Sequence, residues 1–196
     1  LCLAAHASAG LLYVADSGGS GNQDKVWTFD SSTGALISNN VFTDPALVTL
    51  LQAQPLADGT ILVVDQGLGT SNPGGVYVYS ASGTRLRTLV GATADANNFR
   101  PGTVVGSSFL FGIGAGTMAG TIGSVPLAGG VLSTFATLPS GTTATSSPWG
   151  VAVASDGTYL MSNSVSASSS TANARVQRFS ATGTFVGDVV VSNSTT

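Results

Sequence analysis

Apolar and polar residues alternate in short runs along this chain, and each run stops at turn-forming residues. Val26-Trp27-Thr28-Phe29 leads into Asp30-Ser31-Ser32-Thr33-Gly34, and Val76-Tyr77-Val78-Tyr79 into Ser80-Ala81-Ser82-Gly83. Val176-Gln177-Arg178-Phe179 likewise leads into Ser180-Ala181-Thr182-Gly183, and Ile122 to Gly130 is a weaker copy. Alternation in period two is the mark of a half-buried strand, and the glycine closes a turn. A further strand leaves each turn: Ala35-Leu36-Ile37, Arg85 to Leu89, Val131 to Leu138 and Thr184 to Val189. Ahead of each alternating run stands an apolar one: Leu11 to Asp16, Leu62 to Asp65, Phe111 to Gly114 and Leu160 to Asn163. These end at 16, 65, 114 and 163, three steps of 49, and 4 × 49 gives all 196 residues. One more strand precedes them, clearest at Pro101 to Val105 and Pro148 to Ala154.

Each repeat therefore predicts four short strands, and no apolar run has helical spacing. Composition agrees: 26 glycines, a single Lys and no Glu leave few strong helix formers. Four-stranded units at 40 to 50 residues are β-propeller blades, because a lone sheet has two bare faces that only neighbouring blades can cover. The expected fold is all-β, a β-propeller of four tandem four-stranded antiparallel blades near 10–43, 47–90, 101–138 and 148–191. Residues 192–196 form a polar tail.

Pro148-Trp149-Gly150-Val151-Ala152-Val153-Ala154-Ser155-Asp156-Gly157-Thr158-Tyr159-Leu160-Met161-Ser162-Asn163 resembles an NHL-type or SMP-30-like (lactonase-type) propeller blade almost throughout. Ala57-Asp58-Gly59-Thr60 to Asp65 resembles the second half of that motif, and Tyr13-Val14-Ala15-Asp16-Ser17-Gly18 its strand end. The third repeat departs, with no Asp-Gly turn and with Gly114 in place of Asp or Asn. The resemblance implies a fold more firmly than a function.

The first ten residues, Leu1-Cys2-Leu3-Ala4-Ala5-His6-Ala7-Ser8-Ala9-Gly10, resemble the end of a secretory signal peptide, with Ala7-Ser8-Ala9 fitting the cleavage pattern. The alternative is that residues 1–9 supply the inner strand of the first blade. A missing Met and no strand-like closing segment after Val191 favour a portion of a six- or seven-bladed propeller over a small four-bladed ring. Cys2 is the single cysteine, which excludes an internal disulfide, and His6 the single histidine, which leaves no imidazole for a Ser-His-Asp site in the blades. Net charge −3 with six basic residues excludes an electrostatic nucleic-acid binder, and no apolar run is long enough for a membrane-spanning helix.

Candidate chemistry gathers on the face where the loops after the second strands meet the blade links. Asp16, Asp65 and Asn163 hold equivalent places in their repeats. Oxygen donors of this kind suit Ca²⁺, and the resemblance implies a divalent metal near the axis of the lactonases, although their Glu ligand has no counterpart here. Local capping of loop N–H groups, worth on the order of 1 kcal/mol each, is the expected role. Asn98 and Arg100, placed in a blade link, and Trp149 are the candidate ligand-binding residues. Trp27 and Trp149 have packing and sugar-stacking as alternatives, and Arg85 and Arg87 read as solvated surface. Gly112-Ile113-Gly114-Ala115-Gly116 precedes no helix and so is no dinucleotide loop. The function expected is a secreted, periplasmic or cell-surface binding or scaffold module with no cofactor, its partner a protein, glycan or small molecule. The alternative is a Ca²⁺-dependent hydrolase of the lactonase type.

Overall fold

The computed structural model describes residues 5–8, 10–17, 24–39, 41, 44–67, 73–139, 146–165 and 174–191. These form sixteen strands in four antiparallel four-stranded sheets, with no helix among the described residues. The chain is an all-β protein built of four β-propeller blades, and it divides into two compact units, Leu1–Ala92 and Thr93–Thr196.

In the first unit one blade holds β1 (Ala5–Ser8), β2 (Leu11–Asp16), β3 (Lys25–Asp30) and β4 (Leu36–Ser38). The second holds β5 (Leu50–Pro55), β6 (Ile61–Asp65), β7 (Gly75–Tyr79) and β8 (Arg85–Gly91). Residues 5–8 thus take the inner-strand place, with Ala5 opposite Val14 and Ser8 opposite Leu11. Tyr13, Ala15 and Val26 of the first blade share a buried core with Leu50, Ala53, Ile61, Val63, Tyr77 and Tyr79 of the second.

In the second unit the third blade holds β9 (Asn97–Val105), β10 (Ser108–Ala115), β11 (Thr121–Pro126) and β12 (Ser133–Thr137). The fourth holds β13 (Ser146–Val153), β14 (Tyr159–Val165), β15 (Arg175–Phe179) and β16 (Phe185–Val191). Leu110, Ile122, Ala136 and Leu138 pack with Val151, Tyr159, Met161 and Phe179. Burying aliphatic and aromatic side chains on this scale, at about 25 cal/mol per Å² of apolar surface, is what holds neighbouring sheets together.

Turn chemistry is repeated with the strands. Asp58 accepts from the Thr60 N–H at 3.0 Å and its hydroxyl at 2.6 Å, and Asp156 does the same with Thr158 at 3.0 and 2.6 Å. Gly59 and Gly157 take φ of 81° and 80°, the left-handed conformation those turns require.

Two expectations are corrected. The third blade joins its first two strands through a tighter turn, Val105 pairing with Ser108, where Pro55 pairs with Ile61 and Val153 with Tyr159. The ladder position matching Asp65 opposite Leu50 and Asn163 opposite Pro148 is consequently Ile113, opposite Phe99, and Gly114 lies one residue beyond it. Asn98 and Arg100 are also not in a link: they belong to the inner strand β9, as Trp149 belongs to the inner strand β13. Those strands continue through a bulge, between Phe111 and Ile113 in one ladder and between Pro148 and Gly150 in the other. Residues 18–23, 68–72 and 166–173, within the loops expected to line one face, lie outside the described residues, as do residues 1–4, 9 and 192–196.

Candidate binding cleft on the fourth blade

A bulge leaves an extra residue unpaired and re-aims its side chain. Trp149 is that residue in β13, since Pro148 pairs with Asn163 and Gly150 with Ser162. Arg100 occupies the corresponding irregularity of β9. The two meet: the Arg100 guanidinium carbon lies 3.7 Å from the centre of the Trp149 ring. Arg100 is only 5% exposed, so this cation–π contact is largely desolvated and fixes the indole plane. Asn98 adopts φ 59°, the left-handed conformation that Asn tolerates best among residues with a Cβ. Its Oδ1 is buried without a hydrogen-bond partner. A Cβ on Gly114 would stand 3.3 Å from both Asn98 Cγ and Arg100 Nε, so the glycine makes room for this pair.

Trp149 stays 37% exposed and forms one wall of a cleft of about 510 Å³. Ser162, Asn163, Ala174, Arg175, Val176 and Val190 complete the lining. Ladder pairing explains the row: Ser162 lies opposite Val176, and Val176 opposite Val190. Arg175 donates to Asp188 at 2.7 Å, and Gln177 donates to the other Asp188 oxygen at 3.0 Å, so the one charged side chain among the described lining residues is neutralised. Asn163, 3% exposed, keeps its Oδ1 without a partner. The cleft is therefore an uncharged, mostly apolar surface with a fixed aromatic plate, suited to contact rather than to proton transfer.

Asp16, Asp65 and Asn163 do end their strand pairings alike, opposite Lys25, Gly75 and Arg175. Their oxygens face different groups. Asp16 accepts from the Trp27 indole N–H at 3.0 Å. Asp65, fully buried, accepts from the N–H groups of Thr49 at 2.8 Å, Gly67 at 3.2 Å and Val48 at 3.4 Å. Asp24 accepts from the N–H of Leu50 beside them. Burial pushes the Asp65 carboxyl above the usual carboxylate range, against those donors, and the nearby Asp24 charge acts in the same direction as burial. Carboxylates already faced by N–H donors do not fit a divalent cation, and no group of three His, Cys, Asp or Glu gathers among the described residues. The two aspartates instead fasten three successive amides, 48 to 50, at the start of β5.

Sequence reasoning missed a second fastening. Arg85, read as solvated surface, is paired with Asp44 at 2.6 Å, donates to the Tyr79 hydroxyl at 3.1 Å and lies 4.2 Å from the Tyr77 ring centre. Tyr79 in turn donates to Asp44 at 2.7 Å. Burial pushes the Asp44 carboxyl up, but the Tyr79, Ala46 and Arg85 hydrogen bonds bring it below its ordinary value overall. Tyr77 and Tyr79 alternating along β7, with Tyr79 opposite Arg85, were the available signal.

No protein-family model and no curated protein sequence matches the chain. Solved β-propeller structures do match in fold. A TolB-like protein from Agrobacterium tumefaciens is 13% identical with a TM-score of 0.61, over 95% of this chain and 64% of that one. A gluconolactonase from Xanthomonas campestris is 15% identical with a TM-score of 0.60, over 93% and 59%. The Dos1 propeller is 12% identical with a TM-score of 0.56, over 97% and 59%. At such identities the likeness shows the propeller fold alone. The chain spans about three fifths of the length of each of these three structures. No helix among the described residues is long and apolar enough to cross a membrane.

Proposed function

We propose that the chain is a non-enzymatic propeller module of NHL type that binds a partner through the fourth-blade cleft. The observation that carries this reading is the Trp149 plate, fixed by Arg100 and set in an apolar wall whose Val190 is 53% exposed. Exposed apolar surface organised around a rigid aromatic is typical of a contact site. Its uncharged walls favour an apolar protein surface over a charged small molecule. A secreted, periplasmic or cell-surface setting is part of this proposal; it rests on the likeness of residues 1–10 to the end of a secretory signal, and cleavage after Ala9 would remove β1 from the first blade.

The apolar dye anilinonaphthalene sulfonate tests the cleft. In dilute protein it should bind saturably to the wild type and lose most of its fluorescence enhancement in Val190→Asp, whose exposed side chain leaves stability unchanged. Equal dye binding in both proteins would remove the reading. Melting with Ca²⁺ and with EDTA probes the alternative, a Ca²⁺-dependent lactonase. A shift of several degrees would favour the metal, since a ligand bound only by the native state stabilises it; the binding-module reading expects none.

A further inference from the structure

Two turns of this chain combine the same reactive pair of residues with the same restraint. Asp-Gly occurs twice in the sequence, at Asp58-Gly59 and Asp156-Gly157, and Asn-Gly nowhere. Each pair stands exposed in the turn between the first and second strands of its blade, one in each compact unit. An Asp carboxyl and the backbone nitrogen of the next residue can close a five-membered ring, and a glycine has no Cβ to shield that nitrogen. A Cβ on Gly59 or on Gly157 would meet nothing within 4 Å, so no neighbouring group packs over either peptide. What keeps the reacting atoms apart is hydrogen bonding. The Gly59 nitrogen donates across the turn to Leu56 O, and the Gly157 nitrogen to Ala154 O, both at 3.0 Å. The Asp58 and Asp156 carboxylates are turned the other way, each onto a threonine N–H at 3.0 Å and hydroxyl at 2.6 Å, and Arg178 also donates to Asp156 at 3.3 Å. The threonine hydroxyl first, and then its N–H, hold both carboxyls below the ordinary carboxylate value. That favours the ionised form, which gives up an oxygen as water least readily.

We propose that these two turns are modification sites, where Asp58 and Asp156 convert spontaneously to isoaspartate, and that Thr60 and Thr158 are the latches that set the rate. The turn first opens locally, which frees the glycine nitrogen and the carboxyl. The nitrogen then bonds to Asp Cγ, and the hydroxyl of the protonated carboxyl leaves with the amide proton as water, giving a succinimide. Water adds back at either ring carbonyl. Addition at the former main-chain carbonyl breaks its bond to the glycine nitrogen, so the chain now runs through Cβ and Cγ and a free α-carboxylate remains. No oxidant or cofactor enters, and the mass is unchanged. The extra backbone atom falls inside a turn closed by Leu56 N–H on Thr60 O, or by Ala154 N–H on Thr158 O, at 2.8 Å, so conversion loosens the end of β5 or of β13. Other aspartates are poorer sites. Asp30, Asp95 and Asp188 precede Ser31, Ala96 and Val189, whose Cβ atoms crowd the nitrogen, and Pro45 after Asp44 has no N–H. Neither turn lines the fourth-blade cleft, so the proposal stands apart from the binding-module reading.

Protein aged for weeks at neutral pH tests it. A protein-isoaspartate carboxyl methyltransferase, with S-adenosylmethionine as methyl donor, labels the new α-carboxylates, and electron-transfer fragmentation of peptides places them. Isoaspartate should accumulate at positions 58 and 156 ahead of every other aspartate. Thr60→Val removes the hydroxyl and keeps the shape. It should speed conversion at 58 by about tenfold, the worth of one hydrogen bond to a charged group, and leave 156 unchanged. Thr60→Ser should restore the wild-type rate, and Asp58→Glu should abolish the signal there, because Glu would have to close a six-membered ring. Asp65→Ala, which weakens the same blade away from the turn, should leave the rate at 58 unchanged. Thr158→Val, in the other unit, makes the reverse comparison if Thr60→Val fails to fold by circular dichroism. Isoaspartate absent from both turns in the wild type and in both threonine variants overturns the proposal. So does a Thr60→Val rate equal to the wild type, or an equal rise in Asp65→Ala, which would make unfolding of the blade and not the latch the controlling step.

Discussion

Single side chains hold the blades in register at points that an alternating pattern does not mark. Asp65 is the strongest case, because its carboxylate reaches beyond its own loop to the amides of Val48 and Thr49 ahead of β5. Replacing it by alanine strips three N–H groups of their acceptor, and buried unsatisfied groups cost about 1–3 kcal/mol apiece. Removing a carboxylate that burial disfavours returns part of this, so Asp65→Ala is expected to cost about 2–3 kcal/mol in urea unfolding. Asp65→Asn keeps one acceptor oxygen and should cost less. The sign of the pH dependence follows from the raised native pKa: the native state takes up the proton first. The wild type therefore gains on Asp65→Ala as pH falls from neutrality towards the unfolded carboxyl value, and the measured penalty grows. A penalty below about 0.5 kcal/mol that does not change with pH would show that the three amides find other partners.

At the scale of strands and turns, the sequence disclosed what depends on periodicity and little of what depends on ladder irregularity. The four alternating runs and their Gly-containing turns placed β3, β7, β11 and β15, because half-buried strands must alternate. The inner strands were legible only in part. A bulge adds one residue without disturbing apolar content, so Asn98 and Arg100 resembled a link while in fact lying inside β9. The same blindness put Gly114 in the place that belongs to Ile113, since the shorter turn before β10 leaves the 49-residue spacing of the neighbouring repeats intact. The proximity of Arg100 to Trp149 was beyond reach, because it joins two blades nearly fifty residues apart. Gly112 gives an element-level test. A Cβ there would meet Pro148 O at 2.8 Å and Pro148 Cβ at 2.9 Å, so β10 and β13 approach as closely as backbones allow. Gly112→Ala has to separate the third and fourth blades and should cost about 1–3 kcal/mol, as overpacking does. It should also shift Trp149 fluorescence, whereas Gly150→Ala, with only Ser162 Oγ near at 3.4 Å, should do neither.

Over the whole molecule, charge is scarce and the nine acidic residues are all aspartates, so the response to acid rests on very few groups. Asp30 is held down to about 2, first by the Ser32 hydroxyl and then by the Thr33 N–H and hydroxyl. Asp58 and Asp156 are lowered chiefly by the hydroxyls and N–H groups of Thr60 and Thr158. Asp44 is lowered as well, through Tyr79, Ala46 and Arg85 and against its own burial. A depressed native pKa means that the stabilisation is present above the unfolded value of 3.8 and is lost as pH falls below it. Asp65 works in the opposite sense, gaining protons earlier in the native state, but it is one group against four. Acid unfolding should therefore begin only below about pH 4. Its salt dependence identifies the cause. An exposed ion pair such as Arg178 and Asp156, at 3.3 Å, is screened by salt, while short hydrogen bonds within a turn are not. Carboxyl carbon titrations followed by nuclear magnetic resonance should show Asp30, Asp58 and Asp156 still depressed in molar salt. Thr60→Val should raise Asp58 alone, leaving its twin Asp156 unmoved. Return of all three aspartates to ordinary values in salt would assign the depression to the field of the few arginines and the lysine instead of to the turns that repeat along the chain.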